Sequence, residues 1–198
     1  MNPQAMKQSL RQSIIAARQK LAAAEREAFS RAITARLLAL ESYRSAATVL
    51  GYMSFGAEYA SSAWVQQALL DGKQVLLPRV NRSSKELDLY LIEDVQQDLA
   101  PGAWEIPEPL PERCHHLDQL NAVDFILLPG VAFARDGARL GYGGGFYDKL
   151  LARMPHQPAL VAAAFGMQLV AEIPQEATDR KVEWLVTEHE TIHCVAQH

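Results

Sequence analysis

Residues 127–148, with the sequence LLPGVAFARDGARLGYGGGFYD, indicate the fold more directly than any other stretch of the chain. Apolar residues at its start complete a predicted strand over residues 123–128, and helical spacing resumes at residues 146–153. Four glycines lie between the two elements within five residues, namely Gly141, Gly143, Gly144 and Gly145. A buried strand that leads through a glycine-rich turn into a helix is typical of an α/β fold.

The same turn is a candidate phosphate site. Glycines let backbone N–H groups approach an anion, and the start of a helix adds a favourable dipole. Arg139 could contact a phosphate through two N–H groups, and Asp148 could orient a hydrated Mg²⁺ held by phosphate oxygens. The pattern matches neither G-x-G-x-x-G nor G-x-x-x-x-G-K-[ST]. A tight connection without a ligand, with Asp148 favoured only by the helix dipole, therefore remains an alternative.

Strand and helix patterns alternate on both sides of this stretch. Residues 47–78 form a strand, helix, strand unit of the length that a parallel crossover needs. Residues 80–92 predict a hairpin at a sheet edge around a polar turn, because Leu87, Leu89 and Leu91 alternate with more polar neighbours. Further strands are predicted over residues 159–165 and 184–187. A mostly parallel sheet is the natural inference.

Two amphipathic helices precede the sheet and occupy residues 7–41. Their apolar residues recur at three or four positions: Leu10, Ile14, Ala17 and Leu21 in the first helix, and Phe29, Ile33, Leu37 and Leu40 in the second. Residues 101–116 contain four prolines by position 111, and we expect a loop there without a regular strand. The chain is interpreted as one domain over residues 1–198, with an α/β core over residues 46–198.

Composition limits the classes of function. The chain has 198 residues, and 19 Lys and Arg against 23 Asp and Glu give a net charge of −4. This charge argues against a protein that coats nucleic acid. No apolar run is long enough to cross a membrane, and the two cysteines, Cys114 and Cys194, form no C-x-x-C pair. We expect a cytoplasmic monomer that acts without nucleic acid or membrane.

Five sequence elements are spread over nearly the whole chain. They are K-x-x-L-R at 7–11, Y-M-S-F-x-x-E at 52–58, W-E-I-P-E-P at 104–109, R-L-G-Y-G-G-G-F-Y-D at 139–148 and Asp179 before Lys181. In these elements the chain resembles the 5-formyltetrahydrofolate cyclo-ligase family, also called methenyltetrahydrofolate synthetases, and the decapeptide at 139–148 is the most specific of them.

The resemblance implies an ATP- and Mg²⁺-dependent enzyme that converts 5-formyltetrahydrofolate to 5,10-methenyltetrahydrofolate and releases ADP and phosphate. It also implies a three-layer α/β/α domain with a mostly parallel sheet, similar to the phosphosugar isomerase and CoA transferase-like architecture. Phosphorylation of the formyl oxygen would make the formyl carbon electrophilic and create a leaving group. Catalysis would then consist mainly of positioning and electrostatic stabilisation.

Site residues follow from the same resemblance. Arg139 and Asp148 are the predicted catalytic residues, and Asp148 and Asp179 are the predicted Mg²⁺-associated carboxylates. The predicted folate contacts are Met53, Glu58, Trp104, Tyr142 and Tyr147. The predicted ATP site comprises Lys7, Arg11, Arg139, Leu140, Gly141, Tyr142, Gly143, Gly144, Gly145, Phe146 and Tyr147.

Two other functions remain open at this level. A phosphosugar isomerase-like enzyme would need an acid/base pair for enolisation, which the sequence does not identify. A non-catalytic folate- or nucleotide-binding regulator would keep the cleft without turnover.

Overall fold

An eight-stranded sheet forms the centre of the protein, whose computed structural model describes residues 2–117, 120–176 and 179–194. The strands, in chain order, are β1 (Thr48–Leu50), β2 (Gln74–Asn81), β3 (Glu86–Ile92), β4 (Leu99–Pro101), β5 (Pro107–Pro109), β6 (His115–His116), β7 (Phe125–Leu128), β8 (Ala132–Ala134), β9 (Arg139–Leu140), β10 (Ala159–Ala163), β11 (Leu169–Val170), β12 (Trp184–Val186) and β13 (Thr191–His193). The α-helices are α1 (Pro3–Gln19), α2 (Ala23–Ala39), α3 (Glu41–Ser45), α4 (Ser62–Leu70) and α5 (Phe146–Ala152).

The central sheet has the order β13-β12-β10-β7-β1-β2-β3-β6. Its five middle strands, β12, β10, β7, β1 and β2, pair in parallel, whereas β13, β3 and β6 pair antiparallel at the two sides. The predicted mostly parallel sheet is therefore confirmed. The predicted hairpin is also confirmed as β2 and β3, which pair from Val75 opposite Ile92 to Asn81 opposite Glu86.

Both faces of the sheet are buried, which explains why its strands read as continuous apolar runs. Neighbouring residues such as Val49 and Leu50 belong to separate core clusters, one on each face. Helices α2, α3 and α4 supply the first cluster with Ile33, Tyr43 and Trp64, among others. Helix α5 supplies the second with Leu150 and Leu151. The result is a single α/β domain with helices on both faces of its sheet.

Helix α1 packs outside these layers, against a small sheet that the sequence did not predict. Strands β11, β8 and β9 form this sheet. Leu10 and Ile14 of α1 pack on a third apolar cluster that includes Ala132, Leu140 and Ile173. This contact brings the basic residues of α1 beside Arg139 and the glycine-rich turn that follows it.

The strand, helix, strand unit predicted over residues 47–78 begins with a short strand, because β1 ends at Leu50. At Tyr52 and Ser54, backbone groups form hydrogen bonds with a side chain in place of a neighbouring strand. Ser61 Oγ donates to the carbonyl of Tyr52 at 2.5 Å and accepts from the N–H of Ser54 at 3.0 Å. The residues after β1 are therefore free to leave the sheet and line a cleft.

The proline-rich segment also differs from its prediction as an irregular loop. Strands β4 and β5 pair antiparallel through it, with Leu99 opposite Pro109 and Pro101 opposite Pro107. Prolines are tolerated because this ladder has only two strands, so each strand has an outer side that needs no N–H donor. Among the described residues, no helix combines the length and apolarity that crossing a membrane would require.

Candidate active site

A cleft of about 480 Å³ opens at the carboxyl ends of strands β1, β2 and β7. Its walls come from four places: the loop after β1, the β2–β3 hairpin, the proline-rich segment, and the glycine-rich turn with the start of α5. In open α/β sheets, ligands bind at this end of the strands. A second depression of about 580 Å³, around Gly166 and Thr187, contains none of the predicted site residues.

Arg139 and Asp148 form an ion pair in the wall of the cleft. Arg139 Nη2 donates to Asp148 Oδ1 at 2.7 Å, and Nη1 donates to the carbonyl of Pro129 at 3.2 Å. The side chain of Arg139 is only 5% exposed, and its Nε is buried with no partner within the protein. The two predicted catalytic residues therefore lie together, with the guanidinium held rigidly and Asp148 at the cleft.

The glycine-rich turn presents unused backbone donors. Gly143 and Gly145 have φ angles of +102° and +66°, a region that disfavours residues with a Cβ. Within the described part of the chain, the N–H groups of Gly143, Gly144 and Gly145 donate no hydrogen bond to the protein. Exposed N–H groups of this kind can bind an anion such as a phosphate.

One of the two predicted basic residues of α1 contacts this turn. Arg11 Nε donates to the carbonyl of Gly141 at 2.7 Å, and no carboxylate pairs with Arg11 among the residues that the structure describes. Lys7, one turn earlier, instead contacts Glu176 at 3.1 Å and Asp179 at 3.0 Å. Burial lowers the pKa of Lys7, but these two ion pairs outweigh burial and raise it. Arg11 therefore contacts the turn directly, whereas Lys7 is held by Glu176 and Asp179.

The predicted metal carboxylates have different surroundings. Asp148 lines the cleft, whereas Asp179 lies outside its lining and uses Oδ2 to hold Lys7 and to accept from the N–H of Glu176. Over the described ranges, no three His, Cys, Asp or Glu residues form a group that could hold a metal ion by themselves. Mg²⁺ commonly needs only one or two carboxylates when phosphates complete its shell. Asp148 suits that mode of binding.

Glu58 is the central polar group of the other half of the cleft. Its residue is 7% exposed, Oε1 accepts a hydrogen bond from the Tyr142 hydroxyl, and Oε2 accepts from the N–H of Phe55 at 3.0 Å. Burial raises the pKa of Glu58 above its ordinary value, although the hydrogen bonds from Tyr142 and Phe55 and the charge of Arg18 counteract part of the rise. Such a carboxylate can accept N–H donors from a ligand.

Flat and apolar groups surround Glu58. Met53 and Tyr147 line the cleft, and burial raises the pKa of the Tyr147 phenol, which therefore stays neutral. Trp104 is 67% exposed at the rim, and its ring lies 6.1 Å from that of Phe146. An aromatic rim around a buried acceptor suits a planar heterocycle.

Three residues of this site were absent from the sequence predictions. Arg18 contacts Tyr142, Phe55 packs its ring 5.2 Å from that of Tyr142, and Glu108 lines the cleft while being 6% exposed. Helical spacing could have identified Arg18, because it lies eleven positions after Lys7 and seven after Arg11 and so shares their face. Phe55 and Glu108 are specified positions of the Y-M-S-F-x-x-E and W-E-I-P-E-P elements, so membership of those elements could have pointed to them.

Known proteins that are similar to this chain share one description. A family model described as "5-formyltetrahydrofolate cyclo-ligase family" matches residues 3–188. The 5-formyltetrahydrofolate cyclo-ligase of Haemophilus influenzae is 31% identical over 87% of this chain and 92% of its own length. The cyclo-ligase of Saccharomyces cerevisiae is 28% identical over 96% and 97% of the two chains. The NMR structure of Aquifex aeolicus 5,10-methenyltetrahydrofolate synthetase superposes with a TM-score of 0.84 at 30% identity and covers 98% of this chain and 95% of that one.

Proposed function

The chain belongs to the 5-formyltetrahydrofolate cyclo-ligase family, and from this premise we propose that it converts 5-formyltetrahydrofolate to 5,10-methenyltetrahydrofolate at the expense of ATP. One observation carries the proposal. A turn with free N–H donors and an aromatic pocket with a buried carboxylate share one cleft of about 480 Å³. A phosphate donor and a planar heterocycle could therefore meet there.

The proposed reaction has two steps. The formyl oxygen attacks the γ-phosphorus of ATP, a P–O bond to that oxygen forms, and ADP leaves. N10 then attacks the formyl carbon and loses its proton, the C–O bond breaks, and phosphate leaves as the five-membered ring closes. The first step supplies the leaving group that the formamide lacks, so the protein's task is to align the reactants and to stabilise negative charge.

In this proposal the phosphate half consists of the glycine-rich turn and its basic neighbours. The N–H groups of Gly143, Gly144 and Gly145 face the phosphates, and Arg11 and Arg139 supply positive charge. Lys7 adds a third charge, which Asp179 positions. Mg²⁺, held by Asp148 together with phosphate oxygens, would neutralise charge that develops during phosphoryl transfer.

The folate half consists of Glu58 and the apolar walls. Glu58 accepts N–H donors of the pterin, and Met53, Trp104 and Tyr147 contact the ring system. Tyr142 belongs to both halves, because it lies in the glycine-rich turn and contacts Glu58. Water would be excluded from the ring closure by the same aromatic walls.

We further propose that the enzyme is a monomer in the cytoplasm. Three of the five exposed large apolar side chains in the described part of the chain, Phe55, Trp104 and Tyr142, line the cleft, which leaves only Met6 and Leu70 elsewhere. Two isolated side chains do not form the apolar patch of a stable interface. Light scattering coupled to gel filtration tests the monomer directly.

The activity is tested by incubating the protein with 5-formyltetrahydrofolate, ATP and Mg²⁺. We expect the near-ultraviolet absorbance of the methenyl product to rise, with one ADP formed per product, and to stay flat when ATP is omitted. Folded protein that binds the folate without producing absorbance or ADP would instead be a regulator. Folded protein that binds neither ligand would contradict both functions.

A further inference from the structure

Arg18 is a buried charge that the family resemblance does not explain. It lies in α1, its residue is 3% exposed, and its Nη2 donates to the Tyr142 hydroxyl at 2.8 Å. No carboxylate lies within ion-pair distance of Arg18 among the described residues, and its Nε is buried without a partner. A buried guanidinium is costly unless a nearby negative charge compensates it.

That negative charge is one hydrogen bond further away, at Glu58. The Tyr142 hydroxyl accepts from Arg18 and donates its own proton to Glu58 Oε1. Glu58 Oε2 accepts from the N–H of Phe55, so each carboxylate oxygen holds one protein donor. An ionised carboxylate offers about four lone-pair sites, and one on each oxygen therefore remains for a ligand.

The other groups that face Glu58 supply little compensation. Tyr52 and Tyr147 are phenols whose pKa burial raises, so they stay neutral, and Glu108 is a second carboxylate in the lining of the same cleft. Arg139, also in that lining, is committed to Asp148. Arg18 is therefore the cation that acts on Glu58, through Tyr142.

We propose that Arg18 is a positioning residue that acts through Tyr142 to hold Glu58 ionised and oriented, so that its two free acceptor sites recognise the N–H donors of the pterin. The inference rests on the proposed function, because the ligand of Glu58 is the folate. Since Tyr142 lies in the glycine-rich turn, the chain Arg18–Tyr142–Glu58 also joins the folate acceptor to the phosphate half of the site.

The test is the pH profile of folate binding without nucleotide, measured by calorimetry from about pH 5 to about pH 8. The variants are Arg18→Met, Arg18→Lys, Tyr142→Phe and Glu58→Gln. Arg31→Met serves as the matched control, because Arg31 is an exposed arginine of α2 that pairs with Glu27 away from the cleft. Circular dichroism establishes that each variant is folded.

For the wild type we expect affinity to fall as the pH drops and Glu58 takes up a proton, and this step should disappear in Glu58→Gln. Arg18→Met and Tyr142→Phe should move the step upward by about one pH unit, which weakens binding about threefold midway between the two midpoints and about tenfold well below both. Arg18→Lys should keep the midpoint pH close to its wild-type value, and Arg31→Met should keep the wild-type profile. The tail carboxylates of the ligand titrate alike in every variant.

If Arg18 and Tyr142 had only a structural role, their replacement would weaken folate binding by the same factor at every pH. A uniform loss in Arg18→Met, or an unshifted midpoint in folded Tyr142→Phe, would therefore overturn the inference. If Arg18→Met does not fold, Arg18→Lys and Tyr142→Phe still decide the outcome. A wild-type protein that fails to bind 5-formyltetrahydrofolate at any pH would overturn the proposed function instead.

Discussion

The carboxylate of Asp179 lies 3.0 Å from the ammonium of Lys7, although 172 residues separate them in the chain. The same carboxylate oxygen accepts from the N–H of Glu176, and Glu176 makes the second ion pair with Lys7. Asp179 is therefore placed to hold the first helix against the phosphate half of the cleft. Its effect on ATP should pass through Lys7 and should not depend on contact with Mg²⁺.

A double-mutant cycle tests this relationship. Lys7→Met should raise the KM for ATP about tenfold, because one charge-assisted contact worth about 1.5 kcal/mol is lost. Asp179→Asn should raise it only about threefold, since the amide oxygen can still accept from Lys7. Combined with Lys7→Met, Asp179→Asn should add nothing, because coupled residues are not additive. Initial rates at varied ATP give these values.

Mg²⁺ dependence is the control for this cycle. The Mg²⁺ concentration for half-maximal activity at saturating ATP should be the same in Asp179→Asn and the wild type. A large increase that persists in the Lys7→Met background would make Asp179 a metal ligand and would contradict the indirect role.

Asp148→Asn should separate the charge of Asp148 from its hydrogen bond. The asparagine Oδ1 can still accept from Arg139, but the buried guanidinium loses a carboxylate partner, so we expect the unfolding free energy to fall by about 1–3 kcal/mol without loss of the fold. Loss of the carboxylate charge next to the phosphates should reduce turnover about a hundredfold. Product absorbance and urea unfolding measure the two effects. Asp136→Asn is the matched control, because it breaks an ion pair with Lys181 outside the cleft. Full activity of Asp148→Asn at limiting ATP would contradict the role assigned to Asp148.

The elements that the sequence predicted well are those whose pattern is local. Continuous apolar strands such as residues 125–128, and the i, i+4 spacing of Ile33 and Leu37, reflect burial on one or both faces of an element. The glycine-rich turn was equally visible, because only glycine adopts the backbone angles of Gly143 and Gly145 without strain. These signals predicted the layers and the position of the glycine-rich turn.

The missed features depend on contacts between distant residues. Strands β8, β9 and β11 have two or three residues each, too few for alternation to be detected. The proline content of β5 argued against a strand, and its ladder with β4 forms only because neither strand needs donors on its outer side. Arg18 looks like one more surface charge until the fold places Tyr142 and Glu58 beside it.

We expect acid to destabilise the proline-rich segment in the wall of the cleft, because Asp98 becomes protonated. This buried carboxylate accepts from the N–H groups of Glu93 and Asp94 at 2.8 Å and 2.9 Å, and Arg113 Nε lies 3.6 Å away. Burial alone would raise the pKa of Asp98, but these contacts outweigh it and hold the pKa below its usual value. The unfolded state therefore binds this proton more tightly, so the stabilisation is complete above about pH 5 and is lost as the pH falls further.

We expect Asp98→Asn to lower the unfolding free energy by about 1 kcal/mol at neutral pH, a figure reduced by partial solvent screening of the carboxylate. The difference from the wild type should vanish near pH 3 in urea unfolding experiments, at about one unit below the ordinary pKa. Asp88→Asn, which removes a carboxylate bonded to the side chain of Asn81, is the control. An equal difference at both pH values would show that charge is not responsible.

We expect Trp104 to strengthen folate binding without adding to the stability of the fold. It has a φ of +55° and is 67% exposed, so its backbone is in the left-handed region while most of its ring faces solvent. Trp104→Gly should leave the unfolding free energy unchanged or raise it by about 1 kcal/mol, because glycine relieves the strain. Folate affinity should fall about tenfold, the value of one aromatic stacking contact. Trp104→Ala is the matched control, since it removes the same ring but keeps the strained backbone. Equal unfolding free energies of the two variants would mean that the backbone at this position stores no strain. Wild-type folate affinity in both variants would exclude the ring from the folate site.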